Sequence, residues 1–317
     1  RILFGLNEET GSADIKYYTA HGGEVPVMGI TPDGEYPVIN GEKGLVTEFF
    51  TRELHQTGVI RLTSLSGGEA HNIVPAHARA VLACPGEMAE KIAARRADGV
   101  RCTRTEEGVC VEAEGVGAHA CTPGEGENAI GRLMLFLSDL PLEGELKTMV
   151  DMLAGRLGME WDGRSLGIAM EDELSGPLTM NMGVIRMEGE RVDVRLNYRY
   201  PVTRGFEECG PQVRAAFEGA GFRQDYLLHK PALYMPADSP LVSKLMKVYT
   251  GCTGDSSAAP KCIGGGTYAK MIPNTLAFGP IFPGDEVREH KPDEYMELSR
   301  LTDNTRLLAS AMYEMAR

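Results

Sequence analysis

Residues 1–11 read RILFGLNEETG. Six residues of strand-like composition run into two adjacent glutamates, Glu8 and Glu9, and then a Thr-Gly turn. Side chains alternate along an extended chain, so the two carboxylates point in different directions. Two like charges this close repel unless a cation lies between them. A solvated turn accounts for them equally well when they are taken alone. The next residues decide the fold class. SADIKYYTAHGG (Ser12–Gly23) predicts a helix with Ser12 as N-cap and Gly22-Gly23 as its stop. VPVMGITPDG (Val25–Gly34) predicts a second strand ending at Asp33. Strand, helix, strand implies a parallel α/β unit. It puts Glu8, Glu9 and Asp33 at the C-terminal ends of strands, the edge where open α/β sheets bind ligands.

Further along, the rhythm changes. ARAVLACP predicts a strand, GEMAEKIAARRADG a helix closed by Gly99, and GVCVEAEGVGAHA another strand. ENAIGRLMLFLSDL predicts an apolar helix with Ile130, Leu133, Met134 and Leu137 at helical spacing. The order then recurs: MNMGVIRMEGERVDVRLNYRYP predicts a hairpin, GFEECGPQVRAAFEGAG a helix and FRQDYLLHKP a strand. This weak internal repeat suggests two similar halves. The end returns to α/β character. It carries a helix with Ser239 as N-cap, Pro240 at its first position and Gly251 as stop. A final helix is expected over 293–316, with Tyr295, Leu298, Leu301, Leu308 and Met315 on one stripe. The expected organisation is an α/β domain built from residues 1–54 and 232–317, with residues 55–231 inserted as an α+β domain.

Composition narrows the function classes. The net charge of −13 argues against nucleic acid, whose binding relies on Lys and Arg neutralising phosphates. No apolar run approaches the roughly 20 residues of a membrane span. Seven Cys without a C-x-x-C favour free thiols in a reducing cytoplasm.

Other residues suited to chemistry are scattered. His290 lies in a polar loop before the last helix, and neutral imidazole is a common metal ligand. His119 sits among small residues that permit close approach of a substrate. Arg199 stands in a strand spaced for burial, where a guanidinium wants a carboxylate. Asn72 falls at a turn, and Gly264-Gly265-Gly266 offers backbone N–H groups without a nucleotide-binding pattern.

The order of these pieces is more specific than any one of them: NEETG, PDGEYPVINGEKG, NIVP, GVGAHACTP, NYRYP, GGGTY, and FPG followed by EHKPDE. This succession, from Leu3 to the last helix, resembles the M20 metallopeptidase family, and within it the PepV-like bacterial dipeptidases. The resemblance implies a mostly parallel-sheet zinc-peptidase catalytic domain, incomplete at its N-terminus, with an enlarged lid of two similar halves. It implies two divalent ions, zinc first and Mn or Co as alternatives. Glu8 matches the general base, Glu9 and His290 ligands of one metal, and Asp33 a ligand of the other. His119 matches the histidine that polarises the scissile carbonyl, and Arg199 the arginine that grips the substrate carboxylate. Asn72, Gly265 and Gly266 match substrate-site positions.

The family also has an H-x-D motif and a bridging aspartate ahead of E-E-T-G, and no H-x-D occurs in this sequence. The expectation is that an N-terminal portion is missing, that metal affinity collapses, and that this chain as it stands is inactive. The expected protein is a monomeric cytoplasmic dipeptidase. The alternatives are an M20-type N-acyl-amino-acid deacylase or desuccinylase, or a non-catalytic scaffold.

Overall fold

Alternating burial marks the first half of strand Arg191–Tyr200. In Arg191–Tyr200 the apolar Val192, Val194, Leu196 and Tyr198 are buried, as the two-residue period of a strand with a covered face requires. The computed structural model describes residues 1–9, 11–288 and 293–317. The chain divides into two units. The first comprises Arg1–Lys43, Glu173–Ser175 and Pro231–Arg317, and the second Gly44–Asp172 and Gly176–Lys230.

The second unit is built on an eight-stranded antiparallel sheet. From one edge its order is Arg223–Lys230, Gly44–Glu53, Arg191–Tyr200, Thr179–Glu188, Arg61–Gly67, His77–Ala83, Gly108–Glu114 and Val100–Arg104. The expected seam at Leu54 moves to Lys43/Gly44, because Gly44–Glu53 pairs along its whole length with Arg191–Tyr200. The internal repeat is visible in strand order. In each half a hairpin leads through a helix (Gly86–Ala93 or Gly210–Gly219) to the edge strand, and another strand lies between hairpin and edge. The predicted stripe Ile130, Leu133, Met134 and Leu137 is buried on helix Ala129–Ser138, and Asn128 caps that helix by accepting from Gly131 N–H.

The first unit holds a five-stranded sheet. Gly29–Thr31 runs parallel to Thr275–Ala277, and Lys261–Ile263 parallel to Ile39–Glu42. Leu233–Tyr234 and Ala277 meet Ile39–Glu42 antiparallel. The sheet is therefore mixed, a correction to the mostly parallel expectation. Its core gathers Tyr36, Val38, Leu241, Leu245, Leu276 and Phe278 around helices Pro240–Thr253 and Leu298–Met315.

Four further expectations change. Residues 1–6 form no strand, and Phe4 and Leu6 are 90% and 96% exposed. A strand exists only through a hydrogen-bonding neighbour, and none of the described residues pairs with this segment. Helix Ala13–Ala20 is not capped by the Ser12 side chain; Asn7 Oδ1 accepts from Ala13 N–H instead. The last helix begins at Leu298 and buries Asn304, Leu307 and Ala311, leaving Leu298 and Leu301 exposed. Helix Pro240–Thr253 keeps its Ser239 cap but runs through Gly251 to a left-handed Gly254.

Candidate functional site

In the first unit, Glu8 and Glu9 lie in a turn fixed at its base. Asp14 Oδ2 accepts from Leu6 N–H at 2.7 Å, Asn7 N–H at 3.1 Å and the Tyr268 hydroxyl at 2.8 Å. Burial alone would raise the Asp14 carboxyl, but these donors outweigh it and hold it below the ordinary range. The Asn7 carbonyl accepts from Ser12 N–H, and the Glu8 carbonyl from Gly11 N–H. Gly5 is required where it stands, since a Cβ there would lie 2.1 Å from the Tyr268 hydroxyl. Glu8 is half-buried and Glu9 exposed. Asp33 is exposed between the short strands Gly29–Thr31 and Gly34–Glu35. The expected strand-end position thus holds for Asp33, whereas the Glu8–Glu9 pair follows an irregular segment.

Gly265 and Gly266 follow strand Lys261–Ile263 and precede the short turn Tyr268–Met271. A fully buried carboxylate fastens this turn. Glu42 Oε2 accepts from Thr267 N–H at 3.0 Å and Oε1 from the Thr267 hydroxyl at 2.8 Å. Burial pushes the Glu42 carboxyl up, with Lys270 and the Thr267 donors pulling it down. Lys270 Nζ donates to the Lys43 carbonyl. Sequence reasoning missed Glu42; the only signal was an acidic residue closing the short segment Ile-Asn-Gly-Glu, all four of which are buried.

In the second unit, His119 lies on the loop after strand Gly108–Glu114, bridged to Ile73. Asn72 shares that connection through its backbone, its carbonyl accepting from Ala120 N–H at 2.9 Å. The buried Asn181 braces the segment, donating through Nδ2 to the carbonyls of His71 at 3.1 Å and Ile73 at 2.8 Å. Gly183, at a bulge in the same strand, leaves room for it, since a Cβ there would lie 2.5 Å from His71 Cα.

Arg199 is 3% exposed in strand Arg191–Tyr200. Burial lowers its pKa, and the Cys121 side chain, its hydrogen-bonding neighbour, acts in the opposite direction. Cys121 Sγ also lies 2.7 Å from His119 Nδ1, and Cys121 N–H donates to the same Nδ1 at 3.3 Å. The structure thus brings the His119 ring to a thiol that the sequence motifs do not single out. Burial, with Arg195 and Arg199, holds His71 below its ordinary range, so the surroundings of Arg199 are electropositive.

His290 lies outside the described residues. Among the described residues no group of three or more His, Cys, Asp or Glu assembles that could hold a metal ion. Glu8, Glu9 and Asp33 therefore do not by themselves fit a metal shell, and no step below is routed through one. All seven cysteines are free. No helix among the described residues is long and apolar enough to cross a membrane.

Comparison with known proteins places this geometry. The protein named "Putative dipeptidase YtjP" of Bacillus subtilis is 34% identical over 100% of this chain, which covers 69% of that protein. The chain belongs to the M20 metallopeptidase family, among its dipeptidases. It is also 31% identical to the Beta-Ala-Xaa dipeptidase of Lactobacillus delbrueckii subsp. lactis, over 100% of this chain and 68% of the relative. The crystal structure of the aminoacylhistidine dipeptidase from Vibrio alginolyticus shares the fold, with a TM-score of 0.57 at 17% identity, over 92% of this chain and 66% of that one. The chain thus spans about two thirds of the length of these relatives. No family model matches it.

Proposed function

We propose that the protein is a metal-dependent dipeptidase acting on free dipeptides. The observation that carries this reading is the cluster of His119, Cys121 and Arg199, an exposed imidazole and a buried guanidinium joined through one thiol. A dipeptide presents its terminal carboxylate one residue beyond its scissile carbonyl. A guanidinium that grips carboxylates, close to an imidazole N–H that polarises a carbonyl, suits that arrangement. The dipeptidase relatives support the same choice.

In this reading Glu8 takes the proton of the attacking water and delivers it to the leaving amine. His119 stabilises the oxyanion, and Arg199 holds the carboxylate. Asn72, Gly265 and Gly266 are assigned to substrate binding, and the enzyme to a monomeric cytoplasmic form. Glu9, Asp33 and His290 are this chain's donors toward two divalent ions, zinc first, whose chemistry is to activate water and polarise the carbonyl.

An N-acyl amino acid presents the same carboxylate beside a carbonyl, which keeps a deacylase or desuccinylase as the second reading. The test is hydrolysis by the full-length protein, with Zn, Mn or Co, of free dipeptides against N-acetyl and N-succinyl amino acids. Faster turnover of dipeptides is expected. Faster turnover of the acylated substrates selects the second reading, and no turnover of either with any metal removes both.

A further inference from the structure

We propose that Cys121 is a positioning residue that fixes the tautomer and orientation of His119. The inference rests on the dipeptidase reading and deepens it. His119 Nδ1 is approached by two donors from the same residue, the Cys121 thiol at 2.7 Å and the Cys121 backbone N–H at 3.3 Å. A backbone N–H can only donate, so Nδ1 is an acceptor and the neutral ring carries its proton on Nε2. The hydrogen-bond network therefore selects the tautomer whose Nε2–H can donate to a substrate carbonyl or oxyanion.

The thiol adds a second donor to the backbone N–H: its S–H donates to Nδ1. Arg199 is anchored in the sheet and 3% exposed, whereas His119 is exposed on a loop. The thiol and the backbone N–H of one residue thus hold the ring of this exposed histidine. No substrate atom touches Cys121 in this scheme; it acts through His119.

The test compares C121A and C121S in the full-length protein, by dipeptide kinetics and by nitrogen NMR of the His119 ring. C121A is expected to lower kcat about ten-fold, the loss of a hydrogen bond at a group that acts in the transition state. KM should stay within about two-fold, because Arg199 is held by its own strand. C121S, which keeps a donor and an acceptor, should recover most of the lost kcat. In the wild type, His119 Nδ1 should read as an unprotonated acceptor, and in C121A the two tautomers should mix. Wild-type kcat in C121A, or a wild-type His119 that carries its proton on Nδ1, overturns the proposal. An equal loss in C121S and C121A also counts against it, since it would point to packing. If the wild type hydrolyses no dipeptide, the functional reading fails, and the NMR comparison still decides the role of Cys121.

Discussion

Glu8 shows how little a residue's identity says without its surroundings. A glutamate in an E-E-T-G turn is ordinary, and its candidacy comes from the ordered succession of motifs around it. The structure adds a clamp: Asp14, Asn7 and Tyr268 fix the backbone just ahead of the carboxylate. With Glu8 as general base, E8Q should lower kcat about a hundred- to ten-thousand-fold while leaving KM nearly unchanged. Steady-state kinetics of the full-length protein on a dipeptide measures this, and a variant retaining near wild-type kcat would remove Glu8 from that role. Arg199 offers a complementary expectation. Lysine keeps the charge but not the planar fork, so R199K should raise KM for free dipeptides about ten-fold. For dipeptides amidated at the C-terminus, R199K and the wild type should be equal, because there is no carboxylate to lose.

At the scale of elements, the turns near the candidate residues are held by buried polar side chains more than by their own sequence. The Gly264–Gly266 turn depends on Glu42, whose two oxygens accept from Thr267. E42A would leave the buried Thr267 N–H and hydroxyl without that acceptor, costing about 1–3 kcal/mol for each group. Hydrogen exchange should speed up over residues 264–270, and the denaturation midpoint should fall. Unchanged exchange there would show that the turn holds itself. The Asn72 segment depends in the same way on Asn181, which donates to the carbonyls on either side of it. A helix start was legible where capping is local, as at Ser239. One was misread at Ser12, where the acceptor for the first helical N–H comes from Asn7, several residues upstream.

At the scale of the whole molecule, Glu48 makes the antiparallel sheet sensitive to pH. It is fully buried, and burial pushes its carboxyl up to about 7 from an ordinary 4.5, against the opposing pull of Tyr198, Arg214 and Gln224. The folded state then holds a proton that the unfolded state releases, so the unfolding free energy falls as pH rises from 4.5 to about 7 and levels off above that. The contribution is about 3 kcal/mol. Denaturation midpoints across this range should show the slope, and E48Q should flatten it. An identical slope in E48Q would place the pH dependence elsewhere.

The sequence by itself determined the classes of element, the hairpin and helix repeat, and the candidate residues Glu8, Glu9, Asp33, His119, Arg199 and His290. Those features rest on local periodicity and on motif order, which a linear chain displays. It did not determine that residues 1–6 stay irregular, that Gly44–Glu53 joins the second unit, that Glu42 and Asn181 hydrogen-bond the turns near candidate residues, or that Cys121 meets the His119 ring. Strand pairing and the satisfaction of buried polar groups are relations between distant residues. Glu42 and Thr267 are far apart along the chain, so only the folded structure brings the carboxylate to that turn.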